Sequence, residues 1–396
     1  MHSILDGIRV VEAATFVAGP AAGTIMADFG ADVIHIEPPG IGDAYRYLYQ
    51  LRPLPESTEN YPWLLDSRNK KSVTLNLKRP AGRAALYRLV ETADVFITNY
   101  QPSVLSDLGV RFEDIGGLNA RLIYAHVTGY GEAGDDVERP GYDATAWWAR
   151  SGMMDLIRPR GGELSLSAPG MGDHPTAVAL FGAIMLALYR RERTGQGGKV
   201  STSLMANGVW ANGILAQAAL CGATFFERGT HAESSNPLIA VYQTQDERHF
   251  SLVMVKEAHE WDLFCAAIAR PELAADPRFA SSAKRREHAP ALVAILDQVF
   301  ATKTLAEWST CLDQYRVTFG VVQKTEALPT DSQMLANGVF PEIVDFRGRR
   351  TIDSPITVEG ATKIPPHAAP ALGAHTHEVL QSLGYSNAEI TAMGAD

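Results

Sequence analysis

Asp173 is the residue whose type and surroundings best fit a chemical role. It stands in Gly172-Asp173-His174-Pro175, between a loop rich in Ser, Pro and Gly and an apolar run. In that run, apolar residues recur at the three- and four-residue spacing of a helix, at Ala177, Leu180, Phe181, Ile184 and Leu188. Pro175 fits a first helical turn. The positive end of the helix dipole would favour the ionised carboxylate. Two interpretations stay open: a helix N-cap and an ionised nucleophile.

Nucleotide chemistry finds little support in the motifs. An acidic residue such as Glu37, which ends a predicted strand, can bind a ribose, but the first turn, 18–23, is not G-x-G-x-x-G. Pro20 also removes an amide that would face a pyrophosphate. An NAD-dependent dehydrogenase is therefore disfavoured, and the lack of a P-loop argues against direct ATP chemistry.

The sequence also lacks complete motifs for a metal site and for a serine or cysteine nucleophile. His259 lacks the second histidine of a zinc helix, and His375 and His377 fit capping or solvent contact, so we expect no metal site. No G-x-S-x-G elbow occurs, and no cysteine has a histidine close by in sequence. The remaining candidates are carboxylates, Asp173 and Asp143, with glycine-rich loops around them.

The elements that would position these carboxylates alternate between strand and helix in the first half. The predicted strands are 8–14, 32–37, 72–77, 94–98, 122–127 and 199–204. The predicted helices are 19–29, 80–93, the run after Asp173, and 205–220. This alternation predicts an α/β fold with a doubly wound parallel sheet. Loops are expected over 129–172.

The second half predicts a smaller α+β domain. A hairpin is expected over 241–255, with helices near 259–270, 288–300 and 305–314, strands at 316–323 and 340–346, and helices at 376–383 and 387–393. The domain prediction is a large domain at 1–205, a linker helix region at 206–235, a small domain at 236–325 and a return to the large domain at 326–396.

Composition limits the function classes. The chain has 396 residues, 46% apolar and 20% charged, which is ordinary for a globular enzyme. A net charge of −10 argues against nucleic acid as a partner. Three scattered cysteines indicate reduced thiols rather than a disulfide framework. With neither a signal-type segment nor an apolar run long enough to span a membrane, we expect a cytoplasmic protein without a membrane partner.

Short motifs along the chain carry a specific family resemblance. In chain order they are Ala18-Gly19-Pro20, Gly30-Ala31-Asp32-Val33-Ile34, Asn69-Lys70-Lys71-Ser72, Asn99-Tyr100, Thr128-Gly129-Tyr130-Gly131, Pro140-Gly141-Tyr142-Asp143, Gly172-Asp173, Thr194-Gly195-Gln196-Gly197 and Leu372-Gly373 with His375-Thr376. Their order and spacing resemble the family III CoA-transferases (CaiB/BaiF type) over nearly the whole chain. This resemblance favours the nucleophile interpretation of Asp173.

The resemblance implies a fold and a reaction. The implied fold is a Rossmann-like large domain built from both chain ends with an inserted small domain, in an interlocked homodimer. The implied reaction moves coenzyme A from an acyl-CoA to a free carboxylic acid, with no tightly bound cofactor. Asp173 would form first a mixed anhydride with the acyl group and then an aspartyl-CoA thioester.

The resemblance also implies which residues contact coenzyme A: Val17, Ala18, Leu75, Asn76, Lys78, Asn99, Tyr100, Tyr142 and Asp143. Plain packing is the competing interpretation for Val17, Leu75 and Tyr142. Pro38 and Asp107 stand where a relative in the family has arginines for the coenzyme. The substitutes we expect for the phosphate contacts are Arg68, Lys70, Lys71 and Arg111.

Within the family, the likeness is to the phenyllactate and 2-hydroxyacyl-CoA transferase branch. It is carried by Gly141-Tyr142-Asp143, Ala149-Arg150-Ser151-Gly152, Gly170-Met171-Gly172-Asp173-His174 and Asn236-Pro237-Leu238-Ile239. The acid would be a 2-hydroxy, aryl or dicarboxylic acid. A set of aromatic residues either lines a pocket for a bulky acyl group or packs in the core: Trp147, Trp148, Phe225 and Phe226.

A racemase of acyl-CoA esters on the same fold is the main alternative. Racemases of this fold use a histidine at the position held here by Tyr142, paired with the acidic residue matching Asp173. Without that histidine, one of the two bases for proton transfer is missing. A CoA-binding protein without catalysis is disfavoured because Asp173 is retained.

Overall fold

The computed structural model describes residues 3–393, which divide into two compact units. The first unit takes 3–156, 165–223 and 332–393, and the second takes 157–164 and 224–331. The predicted small domain, 236–325, falls inside the second unit. The predicted segment 206–235 is divided between the two units after Ala223.

A six-stranded parallel sheet forms the centre of the first unit. Its strands are β1 (Arg9–Ala13), β2 (Asp32–Glu37), β3 (Lys71–Thr74), β4 (Val95–Thr98), β5 (Ile123–Thr128) and β6 (Gly198–Ser203). They lie in the order β3-β2-β1-β4-β5-β6, and every neighbouring pair is parallel. β1, β2 and β4 are almost completely buried, as expected for parallel strands covered on both faces. The prediction of a mixed α/β fold with a parallel sheet is confirmed.

Helices cover both faces of this sheet. The first nine are α1 (Ala18–Asp28), α2 (Tyr61–Asp66), α3 (Pro80–Glu91), α4 (Pro102–Leu108), α5 (Phe112–Ile115), α6 (Met153–Leu156), α7 (Asp173–Thr194), α8 (Leu204–Ala211) and α9 (Gly213–Leu220). Short 3-10 turns occupy Ala44–Gln50 and Gly116–Leu118, and a π-helix spans Asp143–Ala149.

The packing of α7 against α1 sets the position of the candidate site. Leu180 and Ile184 of α7 share one buried cluster with Ile25 and Met26 of α1, on one face of the sheet. Because α1 starts at the carboxyl end of β1, this packing brings the N-terminus of α7 to the same edge. A second cluster, which includes Leu86 of α3, fills the opposite face.

The second unit has its own sheet and core. It contains the 3-10 turn His231–Glu233, β7 (Ile239–Gln243), β8 (His249–Val253), α10 (Glu257–Ala267), α11 (Glu272–Ala275), α12 (Ser282–Glu287), α13 (Ala289–Phe300), α14 (Leu305–Gln314), β9 (Phe319–Val321) and the turn Thr325–Thr330. The three strands are antiparallel in the order β7-β8-β9. Aromatic residues such as Phe250, Phe300 and Trp308 fill this core.

The chain then returns to the first unit through α15 (Ser332–Ala336), α16 (Thr376–Ser382) and α17 (Asn387–Ala392). Oγ1 of Thr376 accepts a hydrogen bond from the backbone N–H of Thr74 at 3.0 Å, which ties α16 to β3. Val379 and Leu380 pack in the second cluster of the sheet.

Three local predictions are wrong. Residues 340–346 form no strand: Glu342 makes only an isolated bridge to Arg350, and Val344 is 61% exposed. The helix predicted over 205–220 is broken at Asn212, whose side chain donates to the Ser151 carbonyl at 3.0 Å. The loop predicted over 129–172 contains the π-helix Asp143–Ala149 and α6.

Within residues 3–393 no single helix is long and apolar enough to cross a membrane; by length and composition alone, the bent pair α13 and α14 could.

Candidate active site

The carboxyl ends of β1 and β4 meet where the strand order of the sheet reverses. Asn99, just after β4, joins the two exits: its Oδ1 accepts from the backbone N–H of Thr15 at 2.9 Å, and its Nδ2 donates to the Thr15 carbonyl at 2.7 Å. Open α/β sheets bind ligands at such switch points. The fold therefore favours this edge as the binding site.

A cavity of about 230 Å³ opens at this edge. Its walls come from 15–18, 99–102, 127–129 and 139–142, with Asp173 and Leu204. Six of the residues predicted to act on or bind coenzyme A line it together: Val17, Ala18, Asn99, Tyr100, Tyr142 and Asp173. These residues are spread over more than 150 positions of sequence, and the fold brings them around one space.

The other predicted contacts lie outside this cavity lining. Leu75 is 2% exposed and packs in the core behind β3. Asn76 turns back to accept a hydrogen bond from the backbone N–H of Lys78 at 3.1 Å, and Lys78 is exposed. Asp143 begins the π-helix and is 9% exposed.

Asp173 is the first residue of α7, and Gly172 occupies the N-cap position. The N-cap interpretation of Asp173 is therefore wrong by one residue, although Pro175 does lie in the first turn. Trp147 explains the glycine: a Cβ on Gly172 would come within 2.5 Å of the indole ring. Packing of Trp147 on Gly172 thus fixes the backbone from which the Asp173 side chain projects.

The electrostatic surroundings of Asp173 differ from the expectation. Burial, followed by the charge of Asp143, raises the pKa of Asp173 to about 7, and Asp66 adds to the rise. The adjacent His174 acts in the opposite direction. The helix dipole was expected to favour the ionised carboxylate, but desolvation and a like charge act against ionisation and outweigh it. At pH 7 Asp173 is divided between acid and carboxylate.

Asp143 supplies the neighbouring negative charge from the start of the π-helix. Its Oδ1 accepts from the backbone N–H of Ala144 at 2.6 Å. Its Oδ2 is buried and has no hydrogen-bond partner among residues 3–393. A buried acceptor left unpaired is costly, and such groups cluster at functional sites.

Two cavity residues were missed by the sequence analysis. Phe16 has φ +59°, a strained value for a residue with a Cβ, and its ring meets Tyr142 edge-on with centroids 6.0 Å apart. Arg139 brings a cation to the lining and pairs with Asp136 at 2.9 Å. Positive φ at a phenylalanine leaves no sequence signal, and a single arginine in a loop is not distinctive.

The residues expected to replace the missing phosphate contacts are already engaged. Arg68, 3% exposed, pairs with Asp28 at 2.7 Å. Lys70, 6% exposed, pairs with Glu12 at 2.9 Å. Their assignment to phosphate is wrong, because burial and pairing use both charges inside the fold.

The two more exposed candidates also have carboxylate partners. Lys71 lies 3.1 Å from Asp32, and Arg111 lies 2.9 Å from Asp114. Neither lines the cavity around Asp173.

Trp147 and Trp148 are core residues. They are 6% and 5% exposed and stack with centroids 6.1 Å apart, which supports packing over a pocket role. Phe225 and Phe226 belong to the second unit, where they are 52% and 89% exposed.

Among the described residues, no group of three or more His, Cys, Asp or Glu side chains is placed to hold a metal ion. Each of the three cysteines is a free thiol. The cavity offers the partly protonated carboxylate of Asp173 and backbone loops at the edge of a parallel sheet, with the charge of Asp143 close by.

The fold and the cavity place the carboxylate of Asp173 at a switch point of an open α/β sheet. The model of CoA-transferase family III matches residues 5–376, and the chain belongs to this family, as its motifs predicted. It is therefore an enzyme that uses acyl-CoA as a substrate.

Known relatives match along the whole chain. It is 32% identical over 404 residues to the cinnamoyl-CoA:phenyllactate CoA-transferase of Clostridium sporogenes, covering 100% of this chain and 97% of that protein. It is 32% identical to the (R)-2-hydroxy-4-methylpentanoate CoA-transferase of Clostridioides difficile, covering 98% and 97%. A solved CaiB/BaiF family protein from Brucella suis superposes with a TM-score of 0.85 at 27% identity, covering 97% of this chain and 100% of that one.

Proposed function

We propose that this enzyme transfers coenzyme A from an acyl-CoA to a 2-hydroxy, aryl or dicarboxylic acid, with Asp173 as the nucleophile. The observation that carries the proposal is the position of Asp173 in one cavity with the loops after β1 and β4. Because its pKa is about 7, the ionised form is a stronger nucleophile than an ordinary carboxylate and is still abundant at neutral pH.

The reaction runs through two covalent states of Asp173. Its carboxylate attacks the thioester carbonyl, so a C–O bond forms, the C–S bond breaks and CoA thiolate leaves. The thiolate then attacks the aspartyl carbonyl of the mixed anhydride, releasing the first acid and forming an aspartyl-CoA thioester. The incoming carboxylate reverses both steps. One negative charge is conserved throughout, and each intermediate remains activated, so no ATP is needed.

The cavity lining supports a path for the pantetheine arm of coenzyme A. We assign Val17, Ala18, Asn99, Tyr100 and Tyr142 to that arm, since they surround Asp173. Asn76 and Lys78, which follow β3, are assigned to the more distant part of the coenzyme, whereas Leu75 is assigned to core packing. Arg139 is the cation of the lining and is our candidate for a phosphate contact.

The acid is proposed from the relatives. Those named above act on phenyllactate and on (R)-2-hydroxy-4-methylpentanoate, and the mouse relative at 30% identity is a succinyl-CoA:glutarate CoA-transferase. A screen of acceptors therefore starts with 2-hydroxy acids and uses dicarboxylic acids as the contrasting set.

The functional unit is proposed to be an interlocked homodimer with a Rossmann-like large domain in each chain. Three large apolar residues of the first unit are exposed to solvent in the single chain. Trp210 on α8 is 85% exposed, and Ile214 and Leu220 on α9 are 87% and 82% exposed. Exposed apolar surface of this kind marks interaction sites. A second copy is the occupant that the family resemblance implies.

The mechanism is tested by trapping Asp173. After incubation with acyl-CoA alone, borohydride or hydroxylamine should modify Asp173, as read by peptide mass spectrometry. Asp173→Ala should abolish both the modification and the transfer of CoA to an added acid. Wild-type rates in that variant would rule the mechanism out. Deuterium appearing at the α-carbon without any acceptor acid would point instead to the racemase.

A further inference from the structure

The ring of His174 lies between two hydrogen-bond acceptors. Its Nε2 lies 3.1 Å from Oδ1 of Asp66, and its Nδ1 lies 3.1 Å from the backbone carbonyl oxygen of Gly170. A carbonyl oxygen and a carboxylate oxygen can only accept a hydrogen bond. Each ring nitrogen must therefore carry a proton and donate it. The geometry is therefore that of an imidazolium.

Asp66 is held firmly in the position that this pair requires. It is the last residue of α2 and is 2% exposed. Its Oδ2 accepts a hydrogen bond from the hydroxyl of Tyr45 at 2.5 Å. Burial and then the charge of Asp66 raise the pKa of Tyr45, so this hydroxyl stays a donor. A buried carboxylate fixed on one side by a neutral donor needs a cation on the other, and His174 provides it.

Gly170 completes the arrangement from the loop before α7. It has φ +77°, and a Cβ at this position would come 3.0 Å from Cε1 and Nδ1 of His174. Only glycine combines this backbone conformation with such a close approach. The Gly170 carbonyl can therefore meet the ring of His174 and its backbone N–H, 3.1 Å away, at the same time.

The charged surroundings of the ring come from several elements. A second cavity, of about 340 Å³ and mostly apolar, lies beside His174. Four charged side chains surround the ring. Asp66 contacts it, Asp173 precedes it on α7, and Arg68 and Asp353 line the second cavity together with Asp66. Arg68 and Asp353 each have an ion-pair partner of their own. Asp66 and Asp173 thus remain as the two carboxylates whose charge acts on His174.

We propose that His174 is a positioning residue for the CoA transfer proposed above: Asp66 and Gly170 hold its ring as an imidazolium beside Asp173, and this charge keeps a reactive share of Asp173 ionised. Both N–H groups of the ring are engaged by Asp66 and Gly170, and His174 is not part of the lining of the cavity around Asp173. It acts on the reaction through the charge state of Asp173.

The pKa values of His174 and Asp173 agree with this role. Burial lowers the pKa of His174, but the hydrogen bond and charge of Asp66 outweigh burial and raise it to about 9. The charge of His174 in turn lowers the pKa of Asp173 against burial and Asp143. Below pH 9 the imidazolium therefore offsets part of the cost of an ionised Asp173.

The first test compares pH profiles of His174→Gln and the wild type. Glutamine keeps a donor for Asp66 and is neutral at every pH. We expect the acid limb of kcat/KM to move up by about one pH unit, with about fivefold less activity at pH 7 and an unchanged KM for acyl-CoA. His174→Lys should restore the limb by restoring the charge, and His259→Gln, at an exposed histidine of the second unit, is the matched control. An acid limb that does not move in His174→Gln overturns the proposal.

The second test needs no activity, so it separates this inference from the proposed function. The carboxyl carbon of Asp173 is followed by NMR in protein labelled at the aspartate side chains, with Asp173→Asn to assign the signal. Its titration midpoint should rise by about one pH unit in His174→Gln. An unchanged midpoint refutes the role of His174. A shifted midpoint in a protein that transfers no CoA would refute only the proposed reaction.

Discussion

The side chain of Asn99 holds both backbone polar groups of Thr15, accepting from its N–H at 2.9 Å and donating to its carbonyl at 2.7 Å. This pair joins the exits of β1 and β4, the two central strands whose loops form the cavity around Asp173. A side-chain amide carries an acceptor and a donor side by side, so Asn99 can bind the N–H and the C=O of one residue at the same time. Asn99 therefore fixes the loop after β1 against the loop after β4 in the wall of the cavity.

Asn99→Ala should raise the KM for acyl-CoA about tenfold and destabilise the protein by about 1–3 kcal/mol, because two hydrogen bonds are lost. Asn119→Ala is a matched control: Asn119 also makes two side chain–backbone hydrogen bonds, with Ala93 and Arg121, at the amino ends of β4 and β5. It should lower stability similarly and leave KM unchanged. Equal KM values in both variants would contradict the role of Asn99. Steady-state kinetics and urea denaturation give the two readouts.

Trp210→Asp should prevent assembly of the dimer, so that the purified variant is monomeric, because it places a charge on an apolar helix face that is 85% exposed in the single chain. Light scattering behind size exclusion measures the mass directly. Leu263→Asp, at a 52% exposed apolar residue of α10, controls for the chemical change itself. A wild-type mass of one chain would remove the homodimer from the proposed function.

The sequence pattern predicted the helices and strands that position the site, but it did not predict the electrostatic surroundings of Asp173. Strand β2 and helix α14 have the predicted bounds, because β-branched runs and helical periodicity are local signals. The same periodicity found the start of α7 and so the place of Asp173. It could not show that Asp143 lies close enough to raise the pKa of Asp173.

Long-range pairs account for most of what was missed. Asp66 and His174 are 108 residues apart, and neither position is distinctive in sequence. Lys70 belongs to a family motif and was predicted to be free for a phosphate, yet it is buried against Glu12, 58 residues away in sequence. Which charges are neutralised inside a fold depends on tertiary contacts that a periodicity pattern does not contain.

The rate of CoA transfer should depend on pH through Asp173. Only the carboxylate attacks the thioester, and its pKa is about 7, so kcat/KM for acyl-CoA should rise from pH 5 and level off above about pH 7. Asp143→Asn removes a charge that raises this pKa, so the acid limb should move to lower pH. A profile that is flat from pH 5 to 8 would show that Asp173 does not titrate in this range.

Asp173 should cost the folded protein stability, and the cost should grow with pH. Its pKa is raised from 3.8 to about 7, so the fold favours the protonated form. As pH rises from 3.8 to 7, the unfolded chain loses this proton while the folded chain keeps it, and stability falls. Above pH 7 the full cost is present, about 4 kcal/mol as an upper bound, which partial exposure to solvent reduces.

Asp173→Asn removes that cost with nearly the same shape, so it should be inactive but more stable than the wild type, by about 1–3 kcal/mol at pH 8. At pH 5 the gain should be smaller, since the folded wild type then holds Asp173 protonated. Urea denaturation of both proteins at the two pH values, at one protein concentration, measures the difference. Asp107→Asn, at an exposed aspartate of α4, is the control for losing a carboxylate at the surface. An Asp173→Asn variant that is equally stable at both pH values, or less stable at pH 8, would mean that the fold does not resist ionisation of this carboxylate.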